Sequence, residues 1–583
     1  MSAERRAGSD VVGRRAALIA GVSGVSALAG GCLGRAQQMV TDRRAGLSVR
    51  VTTVPADDDR QAVELARELA SNLQAVGIRA RLDLRTTVEF RRTVLFDWDF
   101  ECYVGRYPWV SSSDPHYLYG LLHSRYREEP GWQNPFGYAN ISLDEDLDAQ
   151  RMASESDRPA AVERVFEHLV VEKPFVPLCV PRAVRLARTD QVEGVRDGHL
   201  GKRSGYLGLE LASTDDRLVT TTMDGRATWN LNPLAAHYRE HGLFVDLLYD
   251  SLAAEVDGEY TPWLAVDWEH QDEAVQVRLR EGCQFHDDER VTADDVAFTY
   301  EFLSDTSMGN AESAVPAPVY RTQTALVDDV SVVDDHIVSL TIDAAPAVAD
   351  SVLNVPILPE HIWRPELESQ LDDVGHSRNE WAPLGSEDVP VVGSGPYMLT
   401  DRSEGSKLVL THHDEHFSVG ADEVALSGTV PELAVRVEPS SASALGQVER
   451  GRAALTLTPL ESHVVSRSKQ SEEVETVEDH PRSFYHVGFN VRTPPFSNPR
   501  FRRCLAGLLD RSSLVDSVFD GHATPTNVPV DADWIPDHLE WGGNDPETPF
   551  FGTGGDLDEE RARAAFRATG YRYDDRGRLR VTD

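Results

Sequence analysis

The apolar residues between 47 and 84 switch between two periods, and this switch constrains the fold more than any other feature of the chain. Leu47, Val49 and Val51 alternate with polar residues, as in a half-buried strand. A helical spacing follows and ends at Gly77, a residue type suited to the position after a helix. Alternation then returns. Strand, helix and strand in this order form a β-α-β unit, so the sequence predicts an α/β fold.

A further strand, at 100–104, opens into a loop that combines aromatic, hydroxyl and acidic side chains. This loop runs from Gly105 to Pro115. In α/β sheets, ligands bind at loops that leave the carboxyl ends of strands. We therefore expect this loop to contact a ligand.

The charge balance excludes one large class of function. The 583 residues include 57 Lys and Arg against 96 Asp and Glu, a formal net charge of −39. Nucleic-acid-binding proteins carry basic surfaces instead. Only four of the basic residues are lysines. Acidic, lysine-poor surfaces are typical of salt-adapted archaeal proteins, in which high ionic strength screens the repulsion. We expect a salt-loving host and, from the length, two or three domains.

Residues 1–31 resemble an export signal. Arg14 and Arg15 precede a short apolar stretch, as in a twin-arginine signal for folded proteins. The sequence LAGGC, which ends at Cys32, resembles a lipobox. These likenesses predict that Cys32 carries lipid and anchors the protein at the extracellular face of the cell membrane, with residues 32–46 as a tether. The alternative is a plain cleaved signal with an incidental cysteine.

The sequence contains no recognisable catalytic set, metal site or cofactor motif. The four cysteines other than Cys32 lie in apolar runs, where a buried thiol is the ordinary outcome. His412, His413 and His416 suggest a metal cluster, but we interpret them as part of a solvated loop that follows a strand. Phosphate loops and nucleophile elbows are absent from the sequence. We expect a protein that is not an enzyme and needs no cofactor or metal.

Several segments carry a family resemblance. Residues 262–302 include LREGCQFHDDERVTADDVAF, in which a strand, a turn and a helix capped by Thr292 follow one another. Further motifs are PILPEHIW, VGSGPY and GFN, which begin at residues 356, 392 and 488. The sequence resembles family 5, the peptide/nickel/oligosaccharide class, of extracellular solute-binding proteins of ABC transporters. Asp288 stands where that family usually has glycine.

The resemblance implies a two-lobed, periplasmic-binding-protein-like fold of type II, with its segments in a changed order. The β-α-β unit and the aromatic-Ser-Asp-Pro loop come last in the family and first here. We therefore expect a circularly permuted chain. Lobe II would be built from 47–178 and 436–583 and lobe I from 180–432, with the former termini linked at about 204–217. The alternative is the remnant of a tandem duplication whose halves pair between molecules.

The lobes would be joined by a hinge of two segments, where the chain crosses between them. These crossings are expected near 177–181 and near 432–439. In the family, the ligand binds in the cleft between the lobes. By resemblance and local position, the candidate ligand-binding residues are Trp109, Ser111, Ser112, Asp114, Trp229, Tyr485 and Asn490.

One mismatch bears on the ligand. Peptide-binding members hold the ammonium group of the peptide with an aspartate, and that position falls on Ser111 or Ser112 here. A neutral hydroxyl cannot supply the charge-assisted bond. Asp114 would substitute if the loop were shifted. Oligopeptides, oligosaccharides and metal chelates are all candidate solutes.

The resemblance implies capture of a small solute or short peptide outside the cell and its delivery to a membrane permease by hinge closure. The expected partners are the ligand, an ABC permease and, through the lipid anchor, the membrane surface, and we expect a monomer. A ligand sensor of the same fold that signals to a membrane partner is the alternative. An exported hydrolase is disfavoured because no nucleophile–base pair is found.

Overall fold

The computed structural model describes residues 46–108, 114–196, 200, 202–212, 216–236, 238, 244–256, 258–271, 274–310, 314–370, 387–419, 428–465, 472–479 and 483–580. The predicted signal, Cys32 and the tether up to residue 45 lie outside these residues. The described strands are β1 (Ser48–Thr53), β2 (Arg79–Leu84), β3 (Cys102–Pro108), β4 (Phe175–Pro181), β5 (Ala183–Arg188), β6 (Val192–Glu193), β7 (Glu210–Leu211), β8 (Leu218–Thr222), β9 (Ala253–Val256), β10 (Glu259–Pro262), β11 (Ala265–Gln271), β12 (Ala274–Leu279), β13 (Val327–Asp334), β14 (Ile337–Ile342), β15 (Tyr397–Ser403), β16 (Lys407–His412), β17 (Glu432–Val437), β18 (Leu455–Thr456), β19 (Val474–Asp479), β20 (Ser483–Phe489), β21 (Ala523–Pro525), β22 (Gly552–Thr553), β23 (Asp556–Leu557), β24 (Arg572–Tyr573) and β25 (Leu579–Arg580).

The described α-helices are α1 (Arg60–Ala75), α2 (Thr87–Arg92), α3 (Tyr117–Leu122), α4 (Ile141–Met152), α5 (Arg158–Glu172), α6 (Arg203–Leu207), α7 (Val245–Leu248), α8 (Ala293–Ser304), α9 (Arg321–Thr324), α10 (Pro346–Ala349), α11 (Glu360–Gln370), α12 (Ser441–Glu449), α13 (Ser462–Val465), α14 (Pro499–Ala506), α15 (Arg511–Val518) and α16 (Glu559–Ala568). No helix in the described part of the chain combines the length and the apolar composition that a membrane-spanning segment needs.

A six-stranded sheet is built from both ends of the chain, in the order β2-β1-β3-β20-β4-β21. The predicted β-α-β unit is present: β1 pairs in parallel with β2, and Val51 lies opposite Leu82. Strand β20 comes from the tail and pairs antiparallel with β3 on one side and β4 on the other, both from the head. We call residues 47–181 and 483–580, which surround this sheet, the chain-end lobe.

The middle of the chain forms a seven-stranded sheet, in the order β15-β16-β17-β8-β18-β5-β19. We call residues 183–479, which include this sheet, the central lobe. Arg182 separates β4 in one sheet from β5 in the other. The second crossing was expected near 432–439, but β18 and β19 still belong to the central sheet, so the chain leaves that sheet between Asp479 and Ser483. Helix α12 packs its apolar side against this sheet and forms a small core there with Leu186, from the distant strand β5.

A smaller antiparallel sheet, in the order β11-β12-β14-β13, belongs to the central lobe, and α8 packs against its strands β13 and β14. We call it the small sheet. Helix α8 begins as predicted, because Thr292 is its N-cap and the Asp295 carboxylate accepts hydrogen bonds from the backbone N–H of Thr292, at 2.9 Å, and from its hydroxyl, at 3.0 Å. Asp288 has φ of 71°, the left-handed backbone region that favours glycine, which is the residue expected at this position.

Head and tail are joined by backbone hydrogen bonds. The N–H of Leu47 donates to the carbonyl of Leu579 at 2.7 Å, and the N–H of Leu579 donates to the carbonyl of Gly77 at 2.9 Å. Gly77 ends α1 as predicted, with Ile78 N–H bonded to the Leu73 carbonyl in a Schellman motif. Gly77 has φ of +83°, and a Cβ atom there would lie 2.1 Å from the carbonyl oxygen of Gly577.

The remaining cysteines, Cys102, Cys179, Cys283 and Cys504, are buried free thiols, as predicted. The former-termini linker expected at 204–217 contains most of α6 and the short strand β7, which pairs with β6. One continuous cluster of buried apolar side chains contains members of both lobes, so the two sheets share a core.

Gly77→Ala tests the contact between head and tail. We expect this variant to lose about 3 kcal/mol or more of unfolding free energy, because its Cβ meets a backbone carbonyl as well as a left-handed φ. Gly570→Ala is the matched control: Gly570 also has positive φ, but its added Cβ meets nothing within 4 Å. The control should lose only about 1–2 kcal/mol. Denaturant unfolding measures both losses, and equal losses would contradict the contact.

Candidate functional site

A cavity of about 470 Å³ lies between the chain-end lobe and the part of the central lobe around the small sheet. Its size falls within the range of about 300–1,000 Å³ that is usual for small-molecule sites. The chain-end wall contains Tyr107, Asp114, His116, Tyr117, Trp132, Gln133 and Trp534. The opposite wall contains Gly258, Glu259, Tyr260, Pro318, Tyr320, Arg321, Thr322, Gln323, Pro346, Ala347, Val348, Asp350 and Ser351.

The chain-end wall is positioned by the sheet and the helix that follows it. Tyr107 lies near the end of β3, which extends to Pro108 and so includes the first residues of the predicted loop, and Tyr117 is the first residue of α3, just after that loop. Trp132 packs edge-to-face against Tyr107, with ring centroids 5.2 Å apart. Aromatic walls with a few fixed polar groups suit a small ligand.

Contacts between the lobes hold the two walls together. Arg321 donates to both carboxylate oxygens of Glu129, at 2.7 and 3.1 Å. Arg151 forms an ion pair of 3.0 Å with Asp343. Helix α9 approaches α3 so closely that a Cβ on Gly120 would lie 2.2 Å from the Thr322 hydroxyl oxygen. The cavity is therefore enclosed by residues from both lobes.

Asp114 is the predicted site residue that lines the cavity. Its carboxylate is engaged by the guanidinium of Arg158 through both oxygens, and one oxygen also accepts a hydrogen bond of 2.7 Å from the backbone N–H of His116. Arg158 is 4% exposed and Asp114 is 24% exposed. The charge of Asp114 is thus matched by a buried partner within the wall.

A chain of hydrogen bonds leads from this ion pair to His116. Arg158 donates to the Gln150 amide oxygen at 3.3 Å, and the Gln150 amide nitrogen lies 2.9 Å from His116 Nδ1. Because the amide nitrogen can only donate, Nδ1 is the acceptor and the proton of the neutral ring is on Nε2. Burial lowers the pKa of His116 from 6.5 to about 3. His116 is therefore a neutral wall residue at ordinary pH.

The other predicted site residues are distributed differently. Trp109, Ser111 and Ser112 lie outside the described residues. The Tyr485 hydroxyl is buried and lies 3.1 and 3.0 Å from the carboxylate oxygens of Asp59, the N-cap residue of α1. Burial raises the pKa of Tyr485 well above its ordinary value. Among the predicted residues that the structure describes, this cavity takes in Asp114 alone.

Asn490 and Trp229 complete this set. The Asn490 amide nitrogen donates to the carbonyls of Trp98, at 3.1 Å, and Phe100, at 3.0 Å. Both of its donors therefore join the turn after β20 to the segment before β3. Trp229 lies in the central lobe, where its side chain is close to Gly405, and it is 46% exposed. The structure therefore brings Asp114 to the cavity and leaves these two residues elsewhere.

Most of the cavity wall could not be found from the sequence pattern. Tyr260 lies on the short strand β10, Tyr320 precedes α9, and Trp534 ends a single 3-10 turn in the tail. These residues are more than 270 positions apart at the extremes and meet only through packing of the lobes. An aromatic residue in a segment without clear periodicity is the sole sequence signal they share.

The interpretation of 412–416 as a solvated loop was wrong for His416. His416 is buried, with Nδ1 2.7 Å from the Ser418 hydroxyl and Nε2 3.3 Å from both carboxylate oxygens of Asp250. Asp250 also accepts a hydrogen bond of 2.6 Å from the Trp263 indole. Ser418 has no exposed surface, so this Ser-His-Asp arrangement is inaccessible to a substrate and is a packing network.

The two sheets and the cavity between the lobes define the class: a two-lobed α/β solute-binding protein. Residues 259–582 match the family described as bacterial extracellular solute-binding proteins, family 5 middle. Because the match covers more than half of the chain, the protein belongs to this family. The predicted family and the two-lobed binding-protein fold are confirmed. The family is one of binding proteins, so the prediction that this chain is not an enzyme is confirmed as well.

Individual relatives are distant. The chain is 23% identical over 259 residues to oligopeptide-binding protein AppA of Bacillus subtilis, covering 44% of this chain and 42% of that protein. It is 22% identical over 323 residues to heme-binding protein A of Haemophilus influenzae, covering 53% and 54%. The structure of AppA in complex with a nonapeptide aligns with a TM-score of 0.44 at 17% identity, covering 62% and 65%. The chain spans about half the length of the curated relatives it matches.

His116→Asn tests the buried, neutral histidine. Asn retains an acceptor for Gln150 but does not titrate. Because the folded pKa of His116 lies below the unfolded one, its contribution to stability is complete above about pH 6.5 and is lost as the pH falls toward 3. At pH 5 the natural protein has lost about 2 kcal/mol of unfolding free energy through this group. Denaturant unfolding from pH 4 to 7 should show a shallower pH slope in the variant, whereas parallel curves would contradict the assignment.

Proposed function

We propose that this protein captures a small solute outside the cell and delivers it to an ABC importer by closure of its two lobes. The observation that carries the proposal is the aromatic-walled cavity, which is enclosed by residues of both lobes in a member of an extracellular solute-binding family. Such a site favours the closed arrangement when it is filled, because a ligand that contacts both walls binds only when the walls are together. The membrane permease would accept the closed form.

The hinge in this proposal consists of the two chain crossings, at Arg182 and between Asp479 and Ser483. Ion pairs that join the lobes, such as Arg321 with Glu129, would break on opening and re-form on closing. Such pairs stabilise the closed arrangement, and a solute that contacts both walls adds to that preference.

The names of the relatives cover more than one solute class, an oligopeptide and heme. A peptide solute would need a carboxylate for its ammonium group, and Ser111 or Ser112 occupies the loop position where such an aspartate is expected. Asp114, the substitute considered above, already has Arg158 as its partner. Capture of a peptide, if it occurs, must therefore use a different carboxylate.

Circular permutation of the chain is part of the proposal. Support comes from the pairing of β20 with head strands and from the bond between Leu47 and Leu579, which link head and tail within a single chain. The family match starts at residue 259 and runs to 582, so the head segment precedes it. Pairing between two molecules would add an association cost. The intramolecular form is therefore preferred, and with it a monomer.

The proposal also includes anchoring through a lipid on Cys32 and a salt-rich environment. Anchoring would hold the protein close to its permease, with residues 32–46 as the tether. A net charge of −39 favours high ionic strength, which screens repulsion between the acidic side chains.

Ala347→Trp tests capture in this cavity. Ala347 is exposed and lines the cavity, so a larger side chain fills the space without replacing a core residue. Small-angle scattering across a library of peptides, glycans and metal chelates at high salt should show compaction of the natural protein with at least one solute. The variant should lose this response.

Ala160→Trp is the matched control, because Ala160 is an exposed helical residue of the chain-end lobe outside the cavity lining. The control should compact like the natural protein. The proposal fails if no solute compacts the natural protein. Use of this cavity fails if Ala347→Trp still compacts normally.

A further inference from the structure

The cavity walls already balance two of their charges internally. Both oxygens of Asp114 are engaged by Arg158, and Arg321 is engaged by both oxygens of Glu129. Each pair sums to zero charge. A charged solute that used Asp114 or Arg321 would have to displace a partner that is already within hydrogen-bonding distance, which makes both residues poor choices for holding it.

Two carboxylates on the central-lobe wall of the cavity are not balanced in this way. Asp350 uses one oxygen, Oδ1, to contact Trp268 Nε1 at 3.1 Å and His270 Nε2 at 2.9 Å. Within the part of the chain that the structure describes, its second oxygen has no hydrogen-bond partner. Glu259 has no side-chain hydrogen bond or ion pair in the same part of the chain. Both residues line the cavity.

The aromatic residues of the walls favour the same sign of charge. Tyr260 follows Glu259 directly on β10, and Tyr320 and Trp132 also line the cavity. A cation over the face of such a ring is attracted by the negative charge of the π-system, whereas an anion is repelled. His116 adds no positive charge to the wall, because burial keeps its ring neutral.

We infer that the cavity selects a solute with a cationic amine, held by Asp350 and Glu259 of the central-lobe wall and by the aromatic faces of the cavity. The inference rests on the proposed function, since it assigns the charge of the solute captured in the same cavity. It also supplies the different carboxylate that a peptide ammonium group would need. The amine-binding group then belongs to the central lobe, on the wall opposite the loop 105–115.

The test uses solutes that differ only in charge. Tyramine, tyrosol and 4-hydroxyphenylacetate carry a phenol ring with a cationic, neutral or anionic end, and a dipeptide amide is compared with its N-acetyl derivative. Calorimetric titration at constant salt should give the tightest binding for the cation of each set. The double variant Asp350→Asn/Glu259→Gln should bind the cations about 5- to 20-fold more weakly and the neutral analogues unchanged.

A matched control separates local from general electrostatics. Asp328→Asn/Asp329→Asn removes the same charge from exposed positions of β13 outside the cavity and should leave the preference for cations intact. Asn at 350 retains an oxygen that can accept from Trp268. If the double cavity variant fails to fold, as judged by its thermal melt, Glu259→Gln alone carries the test, because Glu259 is exposed.

Several results would overturn the inference. The inference is wrong if an anionic or N-acetylated analogue binds as tightly as the corresponding cation. It is also wrong if the double variant keeps the preference for cations. Failure of the cations of both sets to bind also overturns it. If another solute of the library still compacts the protein in each of these cases, solute capture stands and only the charge assignment falls. Absence of compaction with every solute removes the proposed function itself.

Discussion

The structure depends on the insertion of one tail strand between two head strands. Strand β20 forms ladders with β3 on one side and β4 on the other, so the chain-end sheet cannot be completed by the head alone. Without β20, two strands of that sheet would have unpaired N–H and C=O groups in a buried position, which is costly. Residues more than 370 positions apart must therefore meet before the lobe is complete, as the contact between Lys173 and Asp545 also shows. The hydrogen bonds of Leu579 with Leu47 and Gly77 join the two chain ends at the edge of the same lobe.

This constraint positions the cavity. Because β20 pairs with β3 along its whole length, as far as Ser483 opposite Pro108, the carboxyl end of β3 and Tyr107 are fixed relative to the helix that begins at Tyr117. The opposite wall is formed by residues 258–260, 318–323 and 346–351 of the central lobe, so the cavity exists only when the two lobes are together. The charged residues of its walls have two roles. The ion pairs of Asp114 and Arg321 stabilise the walls, whereas Asp350 and Glu259 can accept hydrogen bonds from a solute.

Sequence reasoning succeeded where the physical cause is local. Gly77 after α1 and Thr292 before α8 were predicted because helix ends are determined by the few residues around them. It did not give the second crossing, because whether β18 and β19 join one sheet or the other depends on strands that are distant in sequence. His416 was misassigned for a similar reason: its partner Asp250 lies 166 positions away. The cavity wall beyond Asp114 has the same origin, since packing of the two lobes brings its residues together and no motif marks them.

The most direct measurement is a disulfide between head and tail within one chain. Gly46 and Arg578 are suitable positions, because a Cβ on Gly46 would lie 2.9 Å from the Cβ of Arg578, close enough for a bridge after a small adjustment. In the dilute, oxidised Gly46→Cys/Arg578→Cys protein, mass analysis without reductant should find a cyclic monomer whose unfolding midpoint exceeds that of its reduced form. Disulfide-linked dimers without cyclic monomer, or thiols that fail to pair at any concentration, would contradict a lobe assembled from the two ends of a single chain.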